Sequence, residues 1–148
     1  MRFRNGDALI ARITPCLENG KAGFVDYLTD EAPVGWGSTE FFVLRSKPYV
    51  APQFAYCLVR DPDFRKRAEQ SMTGTSGRQR AQIEVLMSHE LTVPSKSVHR
   101  EFGAITTPFF EKIKANGEEN RTLAEMRDLL LPKLMSGEIR LKDVEAAL

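Results

Sequence analysis

The stretch MTGTSGRQR, Met72 to Arg80, brings three hydroxyls, two glycines and two arginines together within nine residues. Thr73, Thr75 and Ser76 with Arg78, Gln79 and Arg80 form a set that can hold phosphate oxygens. Arginine and glutamine can also pair bidentately with guanine and adenine edges. Just upstream lie Arg65, Lys66 and Arg67, opposed by Glu69; with Arg78 and Arg80 that is five positive charges minus one negative, a local +4. The competing reading is a solvated basic helix face followed by a flexible linker. Gly74 and Gly77, like Gly20 elsewhere, are expected to set backbone shape rather than touch a ligand.

Other reactive constellations are weaker. DPDF, Asp61 to Phe64, is one residue from the Asp-Pro-Pro-Phe/Tyr tetrapeptide of amino-methyltransferases, but no Gly-rich cofactor turn lies upstream. Helix capping by Asp61 explains the same residues. ENGK, Glu18 to Lys21, separates acid and lysine by two residues, whereas the common nuclease motif has one between them. His89 and His99 lie apart and form no H-E-x-x-H, and TGTSGR lacks the P-loop spacing. Cys16 and Cys57 have no C-x-x-C spacing, so they read as two reduced thiols, with no metal site expected.

With 148 residues, 42% hydrophobic and 28% charged, the composition is that of a soluble globular chain. Its net charge of +1 means that any nucleic-acid surface must come from clustering. No apolar run approaches the roughly 20 residues of a membrane span, and MRFRNGDALIAR lacks the features of a secretory signal. The expectation is a cytoplasmic protein without membrane association.

The elements that must position these residues read as α+β. DALIARI, AGFVDY and TEFFVLR are short strand patterns, TPCLENGKAG is a turn, and PVGWGS is a break. APQFAYCLVR has helical spacing with Pro52 in its first turn, and DPDFRKRAEQSM opens a second helix with Asp61 as N-cap and Pro62 just inside. HELTVP reads as a short strand stopping at Pro94.

From about Val98 a long amphipathic helix is expected. Phe102, Phe109, Asn116, Leu123 and Leu130 recur every seven residues. Ile105 and Met126 share a second heptad position, with Lys112 and Glu119 between them, and Ile113 and Leu134 lie on the adjoining stripe with Asn120. Pro108 is expected to kink the helix, Pro132 and Gly137 to end it, and GEIRL to follow as a short strand or extended tail. The alternative at Asn116, Gly117 and Asn120 is a break between two helices. A helix with one apolar stripe must bury it, against the preceding domain or against a helix of another chain.

GDALIARITPCLENGKAGFV, GSTEFFVLR, SMTGTSGRQR and MRDLLLPKLMSGEIRL occur together and in that order. This set resembles the specificity subunit of Type I restriction-modification enzymes, over nearly the whole chain. The resemblance implies that residues 1–95 are part of a DNA target recognition domain, a short mixed β-sheet with helices. Residues 96–137 would be the conserved long, coiled-coil-like helical spacer, and residues 138–148 a C-terminal tail. It implies a non-catalytic reader of double-stranded DNA that directs methyltransferase and restriction subunits to a target site. S-adenosylmethionine and ATP would belong to those partners, with no cofactor on this chain.

Carried over by motif, the DNA face would include Thr73, Thr75, Ser76, Arg78, Gln79 and Arg80. Arg12, Thr14, Glu18, Asn19 and Lys21 come second, then Ser38, Thr39 and Glu40. Glu18 or Glu40 could accept from a cytosine amine. The helix interface would comprise Phe102, Ile105, Phe109, Ile113, Asn116, Leu123, Met126 and Leu130. A complete family member carries two recognition domains and two helical regions, whereas this chain has at most one of each. The usual double-proline entry to the helix is replaced by PSKSVHREF. The second reading is an assembly module that no longer reads DNA itself, whose helix seam from Phe102 to Leu134 pairs chains as a homodimer or binds a methyltransferase subunit.

Overall fold

The computed structural model describes residues 1–140 and is α+β. The chain divides into two units, Met1–Pro108 and Phe109–Leu148. In the first unit, β2 (Ala8–Ala11) is the centre of a three-stranded antiparallel sheet, between β3 (Ala22–Phe24) and β5 (Phe41–Leu44). A separate antiparallel pair joins β1 (Arg2–Phe3) to β4 (Gly35–Trp36).

Alternation of side chains sorts the sheet into two faces. Ile10 stands opposite Ala22 on one side and Phe42 on the other. These residues with Ala8 turn toward α1 (Pro52–Arg60) and α2 (Pro62–Gln70), where Ala55, Val59, Phe64 and Ala68 complete the core. Ile10, Leu17, Val25 and Val59 are almost fully buried, which contributes about 1.5–3 kcal/mol for each such side chain. Leu9, Ala11 and Phe41, on the other face, are half-buried and border an open, shallow groove.

Local signals explain the helices. Pro52 and Pro62 occupy first-turn positions, where a missing N–H costs nothing. The Asp61 carboxylate accepts from the backbone N–H groups of Asp63 at 3.0 Å and Phe64 at 2.9 Å, so it caps α2 as the DPDF spacing predicts. A third helix, α3 (Ile83–Met87), has no counterpart in the sequence reading. It is only five residues long, too short for a periodic pattern to stand out. β1 and β4 also escape the sequence reading. PVGWGS, read as a break, supplies β4 because Gly35 pairs directly with Phe3 and leaves room for its ring.

HELTVP is not a strand. His89–Pro94 is irregular, and Leu91 and Val93 remain exposed. Among the described residues no strand edge pairs with it, and without a partner β-propensity alone does not make a strand. The first residue of the segment is tied instead to α3, through the His89 N–H to the Leu86 carbonyl at 3.1 Å, and its ring meets Phe64 edge-on.

The last helix, α4, runs without interruption from Lys96 to Met135. Asn116, Gly117 and Asn120 therefore mark no break, and all three are exposed. Pro132 does not end the helix; it lies in the last turn, and the stop comes at Gly137 with φ +76°. The Ile139 N–H returns to the Lys133 carbonyl at 3.1 Å, so residues 137–140 form a turn rather than a strand. The remainder of GEIRL, and most of the proposed tail, lie outside the described residues. Within the first unit, the opening turns of α4 pack on α1: Phe54 meets His99 and Phe102 edge-on at 5.3 and 6.1 Å between ring centroids. Within the second unit Phe109, Ile113, Leu123, Met126 and Leu130 are all exposed.

Candidate nucleic-acid interface

Three of the sequence-predicted stretches converge through hydrogen bonds. The Arg12 N–H donates to the Glu40 carbonyl at 3.0 Å, and the Arg12 carbonyl accepts from Ala81 N–H at 2.8 Å. Thr14 and Gln79 are joined twice: the Thr14 N–H donates to the Gln79 carbonyl at 3.0 Å, and the Gln79 N–H donates to Thr14 Oγ1 at 3.1 Å. The region after β2 thus lies beside the region before β5 and beside the Thr73–Arg80 loop.

That loop closes on itself. Thr73 and Arg80 exchange backbone hydrogen bonds of 3.1 and 2.9 Å, and the Arg78 N–H closes a turn onto the Thr75 carbonyl at 3.0 Å. Gly74 has φ +127°, a region that side chains other than hydrogen rarely adopt, and a Cβ there would stand 3.0 Å from the Arg78 carbonyl oxygen. Thr73 through Arg78 are exposed, while Gln79 and Arg80 are half-buried. Gln82, absent from the sequence-predicted set, donates from Nε2 to Thr73 Oγ1 at 2.7 Å and to the Arg80 carbonyl at 2.9 Å.

Arg80 is already paired. Its Nε lies 3.2 and 3.0 Å from the two Glu40 carboxylate oxygens, and Nη2 donates to Oε1 at 2.8 Å. The hydrogen bonds from Arg80 hold the Glu40 carboxyl below its usual range, so it stays ionised at neutral pH. Arg12 is turned inward: its guanidinium lies 4.9 Å from the Phe42 ring centroid and reaches the Ala81 carbonyl at 3.5 Å. Ser38 Oγ accepts from the Glu40 N–H at 3.0 Å, which shapes the approach to β5, and Thr39 is exposed beside it.

The Glu18–Lys21 turn is fixed by helix arginines. Arg60 Nη1 donates to the Gly20 carbonyl at 3.0 Å and Arg65 Nη2 to the Glu18 carbonyl at 3.4 Å. Glu18, Asn19 and Lys21 point outward, and Lys21 borders the same shallow groove as Glu40. Arg67 is directed elsewhere, to the Val85 carbonyl at 3.2 Å and Ser88 Oγ at 3.0 Å. The +4 counted along the sequence is therefore not one cationic face. Arg65, Arg67 and Arg80 have internal partners, while Arg78 makes no ion pair among the described residues. No three His, Cys, Asp or Glu side chains among the described residues come together as a metal site would require. No described helix is long and apolar enough to cross a membrane.

No family model matches the chain, and no solved structure matches it. Curated proteins do. The chain is 38% identical over 79 residues to the Type I restriction enzyme EcoAI specificity subunit of Escherichia coli, covering 53% of this chain and 13% of that protein. It is 32% identical over 87 residues to the HindI specificity subunit of Haemophilus influenzae, covering 59% and 19%. It is 32% identical over 91 residues to the MjaIX specificity subunit of Methanocaldococcus jannaschii, covering 62% and 20%. The chain therefore spans a fifth or less of the length of these relatives. These matches support the resemblance read from the ordered motifs: over 53–62% of its length the chain is similar to a part of Type I restriction enzyme specificity subunits.

Proposed function

We propose that this chain is a DNA-recognition segment of a Type I restriction-modification system, acting in the cytoplasm. It contributes base reading and no catalysis. It works with methyltransferase and restriction subunits, which bring S-adenosylmethionine and ATP. The observation that carries this reading is the likeness to four specificity subunits. The convergence of Thr14, Thr39 and the exposed loop tip Thr75–Arg78 on one region supports it, because polar contacts to a duplex must be presented together.

The test is selection from a random-sequence duplex pool at about 150 mM salt, where nonspecific contacts are much weakened. It is run with the chain alone and with its cognate methyltransferase subunit. Enrichment of a half-site or spaced palindrome is the expected result. No enrichment in either mixture removes the DNA-reading proposal.

The exposure of Phe109, Ile113, Leu123, Met126 and Leu130 favours a second reading, an assembly helix. An apolar stripe of this length is a surface for another helix. Under this reading the occupant is a second copy of the chain, and concentration-dependent dimerisation in sedimentation measurements is the expected result. A monomer at all concentrations removes it.

A further inference from the structure

The loop Thr73–Arg80 has two arginines, and the structure gives them different surroundings. Arg78 stands at the exposed tip, without an ion pair among the described residues. Arg80 stands at the base, with Nε and Nη2 both directed at the Glu40 carboxylate. The pair joins the loop base to the residue just before β5. A phosphate brought to Arg80 would meet the Glu40 charge at the same guanidinium, so the two anions would compete for one set of donors.

We infer that the Glu40–Arg80 pair is a clamp that orders the loop, making Arg80 a positioning residue and leaving Arg78 as the cation the loop presents to DNA. This rests on the DNA-reading proposal above. Bidentate arginine–carboxylate pairing fixes orientation as well as distance, which suits a loop whose tip must be held still. Backbone pairing of Thr73 with Arg80 and the Thr14–Gln79 hydrogen bonds carry that orientation into the rest of the loop.

The experiment uses the full chain and four proteins: wild type, Glu40→Gln, Arg80→Glu and the double exchange Glu40→Arg with Arg80→Glu. Two readouts are taken: affinity for the enriched half-site as a function of salt, and the rate at which trypsin cuts the Arg78–Gln79 bond without DNA. The clamp predicts that Glu40→Gln weakens binding roughly twofold to fivefold, the size of effect of a partly exposed ion pair. It also predicts faster cutting in Glu40→Gln and Arg80→Glu, with both properties returning toward wild type in the double exchange.

Direct contact of Arg80 with phosphate predicts the reverse. Glu40→Gln would bind tighter because a competing anion is gone. The double exchange would stay as weak as Arg80→Glu, with its log–log salt slope smaller by about 0.9. That result overturns the inference. If wild type binds no duplex, the DNA reading fails separately, and the cutting rates alone decide the clamp. Faster cutting on Glu40→Gln that the double exchange reverses supports it, and equal rates in all four proteins overturn it.

Discussion

Asp7 and Arg45 form a two-point ion pair, Nε to Oδ1 at 2.6 Å and Nη2 to Oδ2 at 2.7 Å, with the aspartate fully buried. The sheet sets this up: Ala8 pairs with Leu44, so the residue before β2 meets the residue after β5. The Arg4 N–H adds a hydrogen bond to Oδ2 at 2.8 Å. Burial pushes the Asp7 carboxyl up, but the hydrogen bonds from Arg45 and Arg4 outweigh it, and the net direction is down. Its folded pKa is thus below the unfolded value of about 3.9. The pair's contribution is fully present above that value and is lost as pH falls through the folded one. Denaturation of wild type and Asp7→Asn across pH 7 to 2 should show the gap in stability narrowing only below about pH 4. Arg45→Met should cost about 2 kcal/mol at neutral pH, less than a fully buried pair because the arginine side chain is 45% exposed.

Arg78→Ala should weaken duplex binding and reduce the log–log salt slope by about 0.9 if its contact is to one phosphate. If Arg78 reads a guanine edge, base preference at one position relaxes instead, by about 1–3 kcal/mol. The chain's thermal midpoint should not change, because the residue is exposed and makes no ion pair among the described residues. Salt titrations with matched and mismatched duplexes separate these outcomes.

Asp61→Ala removes the cap of α2 and leaves the Asp63 and Phe64 N–H groups without their acceptor. The expected loss is about 1 kcal/mol in urea denaturation. Asp61→Ser should retain most of that stability, since a serine hydroxyl can accept the same hydrogen bonds.

Gly20 has φ +66°, and a Cβ there would lie 2.8 Å from the Arg65 guanidinium. Gly20→Ala should therefore cost about 1–2 kcal/mol, chiefly from the left-handed backbone, since the arginine end can move aside. Gly20→Asn should cost less, because asparagine tolerates that conformation better. Thermal unfolding of the two variants checks the order.

Phe109→Lys should abolish concentration-dependent dimerisation while leaving the circular dichroism spectrum unchanged. The side chain is 64% exposed, so its removal takes nothing from the core. Sedimentation at several concentrations reads the result, and dimerisation that survives the substitution excludes this stripe as the contact.

The sequence by itself determined the features that depend on near neighbours. Asp61 and Pro62 announce α2 because capping acts within one turn, and the same holds for Pro52 at α1. The cores of the β2, β3 and β5 patterns are legible because alternation is local, and the long helix because its apolar repeat is. The ordered motifs carried the family likeness. Only the tertiary structure decided which charges face outward. Arg65, Arg67 and Arg80 look equivalent to Arg78 along the chain, yet their partners Glu18, Ser88 and Glu40 are 47, 21 and 40 residues away. HELTVP failed as a strand for the same reason, since a strand exists only where another edge meets it. Side-chain chemistry is written residue by residue, but whether a group is available or already satisfied depends on contacts that chain folding alone brings together.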